Sequence, residues 1–298
     1  MIGEEKGVSV QDLATKPKRR MSTTQRLLFF AAAWLICLMP FLFWWSTWFG
    51  RHLSDRQLNE YLQDSKHPRH IQHALVQLGE RMARQNKTQQ DAAARQWYPE
   101  LVRLAADPVE EVRNTDAWVM GQDTSGAGFH EALLKMLDDP SPMVRGNAAL
   151  SLVRFGDSSG RPQILALLQP AHIAAPSAGR IADTDKVGTA IHQDGLIAKL
   201  AVGQSGSQAQ QTVDIRSPIP GRIRSVASIG TNVAIGAEVA VVDPANDQVW
   251  EALRALYLIG QAEDLAPIRP YERELPDIPE YVRQQATETE KAIRSREK

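Results

Sequence analysis

DPVEEVR, residues 107–113, recurs 32 residues later as DPSPMVR, residues 139–145, and the two align without a gap. Each copy leads into small and apolar residues at helical spacing. These are Ala117, Trp118 and Met120 after the first, and Ala148, Ala149, Leu150 and Leu152 after the second. Before each copy runs another apolar helical pattern, LVRLAA at 101–106 and ALLKML at 132–137. The unit is therefore helix, Asp-Pro turn, helix. One such unit cannot bury its apolar face alone, so copies must stack on one another.

This signature resembles HEAT repeats, more particularly the short bacterial kind. Weaker traces flank it: HPRHIQHALVQLGERM at 67–82, VWEALRALYLIGQAEDLAPI at 249–268 and YVRQQATETEKAI at 281–293. The resemblance implies a structural role for Asp107, Val112 and Arg113, and for Asp139, Val144 and Arg145. Arg113 and Arg145 would bond along the stack, with Asp107 and Asp139 as partners.

Between 171 and 245 the composition shifts. Phe, Trp, Tyr, Met and Cys vanish, and short alternations such as GLIAKLAV, TVDIRS, GRIRSVAS and EVAVVD suggest strands of a small sandwich or barrel. SPIPGRI, with Pro218 and Gly221, followed by Gly230 and Gly236, resembles the second half of a biotinyl/lipoyl-like domain. GRIADTDKVGTAIHQDGLIAKLAV, at 179–202, would be a divergent first half. In carriers of that family the modified lysine sits on the tip joining the halves. The joining segment here, GQSGSQAQQTV at 203–213, has no lysine, so no covalent cofactor is expected. Membrane-fusion proteins of efflux systems share the fold without the lysine, but join the halves by a long coiled-coil hairpin that this short connection cannot supply.

Residues 27–49 carry no charge across 23 positions, which predicts a transmembrane helix with Trp44, Trp45 and Trp48 at one interface. The basic excess before it (Lys16, Lys18, Arg19, Arg20, Arg26) places residues 1–26, read as a disordered tail, in the cytoplasm. The rest would be periplasmic. His67, His70 and His73 recur at three-residue spacing, a candidate metal set, although Pro68 suggests that the helix begins inside the motif. The 34 basic and 35 acidic residues leave no cationic excess for a nucleic-acid partner. The single cysteine, Cys37, excludes disulfides within the chain. Gly203–Ser207 (GQSGS) lacks the final glycine of a nucleophile elbow, and no phosphate-binding glycine motif occurs.

The expected architecture is mainly α with a β insert. It comprises a single transmembrane helix, HEAT-like helices at 50–170, a lipoyl-like β-domain at 171–245 and further HEAT-like helices at 246–298. The expected function is a non-catalytic, membrane-anchored scaffold or adaptor without cofactors, binding protein partners that belong to a membrane complex. The alternatives are an accessory or assembly subunit of a respiratory, efflux or secretion complex, and a metal-handling protein using His67, His70 and His73.

Overall fold

Each Asp-Pro turn works through its aspartate. Asp107 Oδ1 accepts the Val109 N–H at 2.9 Å, and Asp139 Oδ1 accepts the Ser141 N–H at 2.9 Å, so each carboxylate closes a tight turn before the next helix. Ser141 then caps that helix, accepting the Met143 and Val144 N–H groups, while Pro142 occupies an early position where its missing N–H is harmless. The computed structural model describes residues 22–48, 52–88, 92–202 and 211–296. They fall into two units, 1–52 and 53–298.

The first unit holds α1 (Thr23–Trp48), with Leu27, Phe30, Trp34 and Ile36 exposed. Here the expected single transmembrane helix must be corrected. Among the described residues no helix is long and apolar enough to cross a membrane. The side chains of Trp44, Trp45 and Trp48 lie outside the described residues, as does most of the expected tail.

The second unit is a helical stack. Helices α2 (Asp55–Leu62), α4 (Tyr98–Leu104) and α6 (Phe129–Met136) pack on α3 (Pro68–Thr88), α5 (Glu110–Met120) and α7 (Pro142–Arg154) respectively. The second helix of each pair packs on its counterpart, α3 on α5 and α5 on α7. After α8 (Arg161–Ala166) and the β-module, the series resumes with α9 (Asn246–Ile259) on α7, then a short α10 (Leu265–Ile268) and α11 (Glu280–Arg296) on α9. One core runs through all of it, including Leu75, Leu101, Val112, Met120, Phe129, Leu133, Val144, Leu152, Leu253 and Val282.

The β-module has its own core of aliphatic residues, Ile181, Ile197, Leu200, Ile223 and Val242 among them. Among the described residues its strands are β1 (Ala171–Ala174), β2 (Gly179–Thr184), β3 (Ala190–Ile191), β4 (Leu196–Val202), β5 (Gln211–Arg216), β6 (Gly221–Val226), β7 (Asn232–Val233) and β8 (Glu238–Pro244). They form two antiparallel sheets, ordered β1-β8-β6-β3 and β5-β4-β2-β7. Exchanging β1–β4 for β5–β8 converts one order into the other. The hydrogen bonds follow the same exchange: Gly188 N–H donates to Ile223 O and Gly230 N–H to Ile181 O, each at 2.8 Å. Sequence carries it too, because Pro176, Gly179, Arg180, Ile181, Gly188 and Thr189 recur 42 positions later as Pro218, Gly221, Arg222, Ile223, Gly230 and Thr231. Gly188 and Gly230 hold φ of 86° and 90°, a left-handed conformation that favours glycine.

Insertion into a solenoid is easy for this module because its ends meet. Ala171 pairs with Val242 across β1 and β8, so the chain leaves the stack and returns to it side by side. α8 and α9 consequently pack as neighbours despite the strands between them. Glu110 adds a tie, its Oε1 accepting from Ser141 Oγ at 2.6 Å and from Gln193 Nε2 of the module.

Polar side chains are buried too, Asp116, Asp264 and Thr289 among them. Asp116 on α5 is fully buried, and among the described residues neither of its oxygens has a hydrogen-bond partner. Burial pushes its carboxyl well above the ordinary carboxylate range. The folded value exceeds the unfolded one, so the adverse contribution is absent below pH 3.8 and grows as pH rises from there. Asp116→Asn is therefore expected to stabilise the protein by about 1–3 kcal/mol at alkaline pH, with the gain shrinking toward acid. Denaturant melts of both proteins across pH would show it, and an equal difference at all pH values would contradict it.

Candidate functional site

The repeat residues build a lateral ladder. Arg113 Nε and Nη2 donate to Asp139 Oδ2 and Oδ1 of the following unit at 2.7 and 3.0 Å, and Nη1 donates to the Asp107 carbonyl at 2.8 Å. Burial opposes ionisation of Asp139, yet the bonds from Arg113 and the Ser141 N–H outweigh it and hold its carboxyl below the ordinary range. Arg145 has a different role, donating to the Asp139 and Pro140 carbonyls at 2.7 and 2.9 Å. Val112 and Val144 are buried beneath. Further along α7, Asn147 donates to Asn114 Oδ1 at 2.8 Å, Ser151 to Ala117 O at 2.8 Å and Arg154 to Gly121 O at 3.1 Å. These bonds fix α5 against α7 along their whole contact.

What that rigid pair presents is a groove. A depression of about 690 Å³ runs over α5, α7, α9 and α11, lined among others by Trp118, Leu150, Arg154, Tyr257 and Leu258. Leu258 is 62% exposed, Tyr257 44% and Trp118 39%, so apolar and aromatic surface faces outward along the depression. Trp118 is positioned by Gly79: a Cβ there would lie 2.6 Å from the indole ring, so α3 lets the ring close against its backbone. Next to the groove the Arg254 guanidinium sits over the Trp250 ring at 4.6 Å. Large aromatic and apolar side chains on a rigid frame, rimmed by Arg154, Arg254, Glu251 and Glu288, suit a protein segment with an apolar stripe.

The histidine motif is divided by the structure. His67 Nδ1 and His70 Nδ1 both face Asp64, at 2.9 and 2.8 Å from Oδ2, while His73 Nε2 accepts from Gln77 at 2.9 Å and stands apart. The missed member, Asp64, continues the three-residue spacing backwards, a signal present in the sequence. Of the β-module residues, Gly230 and Gly236 hold positive φ, whereas Gly221 is demanded by contact rather than by φ, and Pro218 lies in the turn before β6. The joining segment between the halves falls mainly on 203–210, outside the described residues.

A family model for the HEAT repeat matches residues 131–159, which span most of α6, the Asp139 turn and all of α7. Among curated proteins none matches the chain.

Proposed function

We propose that this chain, with a HEAT repeat at 131–159, is a non-catalytic scaffold that holds a protein partner in the groove over α5, α7, α9 and α11. The observation that carries this is the outward-facing set of Trp118, Tyr257 and Leu258 on helices locked together by buried polar ladders. Solenoids bind through such surfaces because each unit offers its second helix to one continuous face. The fitting partner is a helical or extended segment with apolar anchors and flanking charges of both signs. We read the β-module as a biotinyl/lipoyl-like domain used for structure. Its two-half repeat and matching sheet orders favour that reading, and it would brace the solenoid through Glu110 and Gln193.

The test is co-purification with tagged full-length chain at native abundance. Leu258→Glu and Trp118→Ala should each reduce recovery of a stoichiometric partner at least tenfold, the loss expected for a binding hot spot. Glu131→Lys, on the exposed side of α6, should not. Equal recovery from all four proteins would sink the proposal.

A further inference from the structure

Asp64, His67 and His70 lie where α2 ends and α3 begins, away from the groove. One ligand atom from each falls within 4.8 Å of the other two. We propose that these three side chains bind a divalent transition-metal ion of the zinc class.

The donor chemistry is selective. Two imidazoles and one carboxylate suit zinc, copper, cobalt or nickel, whereas calcium and magnesium prefer oxygen-only sets. The geometry is near what such an ion needs. Tetrahedral coordination at metal–ligand distances of about 2.0–2.1 Å separates the ligand atoms by about 3.3 Å. Both Nδ1 atoms already stand 2.8–2.9 Å from Asp64 Oδ2, so opening by a few tenths of an ångström makes room.

Each Nδ1 faces the Asp64 carboxylate, which accepts only. Ligation would use the Nδ1 lone pair of each ring, with the ring proton on Nε2.

The surroundings hold the ligands in place. Tyr61 stacks on the His70 ring at 4.4 Å with planes 12° apart. The backbone is cross-tied as well, Asp64 N–H to Tyr61 O, His67 N–H to Asp64 O and His70 N–H to His67 O, at 3.2, 3.0 and 2.8 Å. Such outer contacts are what orient a ligand set before the ion arrives. A depression of about 630 Å³ lined by Lys66, Arg69 and Glu111 opens beside His67 and His70, leaving the remaining coordination positions to water or to an exogenous group. The ion would clamp the α2–α3 junction at the first helices of the stack.

Zinc titration of the full-length chain near neutral pH, against a chromophoric chelator, tests this directly. One equivalent should bind. Asp64→Asn, which keeps the shape of the side chain, and His67→Ala, whose ring is largely exposed, should each weaken binding at least tenfold with unchanged helical circular dichroism. His73→Ala should bind as the parent does. With cobalt, the parent should show visible absorption bands that the Asp64→Asn protein lacks. Failure of the parent to take up stoichiometric zinc would overturn the proposal. So would zinc binding that survives Asp64→Asn combined with His67→Ala, since that would place the ion on other histidines.

Discussion

Asp139→Ala is expected to destabilise the helical stack by about 3–5 kcal/mol, the cost of leaving a buried guanidinium without its carboxylate. The side chains of Arg113 and Asp139 are 12% and 8% exposed, and the contact is a two-bond fork in which both ends are largely dry. Arg113→Ala should cost a comparable amount. The double replacement should cost clearly less than the sum, because each single change strands a charge that the double change removes. Asp139→Asn separates two contributions: it keeps an oxygen for the Ser141 N–H but not the full charge, and should fall between parent and alanine. The pH dependence has a defined sign. The folded carboxyl titrates below its unfolded value, so its contribution is present above about pH 3.8 and is lost as pH falls through the depressed value. Additive single and double effects in denaturant melts would show that the pair is not coupled.

The second large effect lies in the β-module. A Cβ on Gly221 would stand 1.8 Å from the Asp243 carbonyl oxygen and 2.9 Å from its carbon, both backbone atoms of the paired strand β8. No rotamer relieves such a clash, so β6 and β8 would have to part. Gly221→Ala should cost about 3 kcal/mol, the upper part of the range for overpacking. Its symmetry mate offers an internal control. At Gly179 the added carbon would meet the Ala201 carbonyl oxygen at 2.5 Å, so Gly179→Ala should destabilise less. Hydrogen exchange should show lost protection across β6 and β8, with the α5–α7 contact intact. Equal costs at the two glycines would mean that carbonyl proximity does not set the penalty.

Local pattern revealed some of this architecture. The paired DPxxxVR turns fall at the starts of α5 and α7 because aspartate closes the turn and valine enters the core whatever the rest of the chain does. The partner of Arg113 is a different matter: it is the carboxylate of the next unit, and only stacking can choose between Asp107 and Asp139. In the module, the two halves were legible in Gly179-Arg180-Ile181 and Gly221-Arg222-Ile223, but the sheet order depends on strand exchange between halves. Hydropathy misled at 27–49, where uninterrupted apolar sequence did not yield a described helix long and apolar enough to cross a membrane. Asp64 escaped notice because carboxylates in turns are common, and only its closeness to two imidazoles marks it. The groove could not be read at all. Trp118, Tyr257 and Leu258 sit on helical apolar patterns like any core residue, and their exposure follows from how α5 and α9 are rotated in the stack.

Site-specific photo-cross-linking tests the groove most directly. A photoreactive residue at position 258 in the full-length chain should give a discrete adduct with a protein partner, and the same residue at position 131 should give none. The adduct from 258 should disappear when Trp118→Ala is added. Equal adducts from both positions, or an adduct from 131 alone, would contradict the assignment of the α5–α7–α9–α11 face as the binding surface.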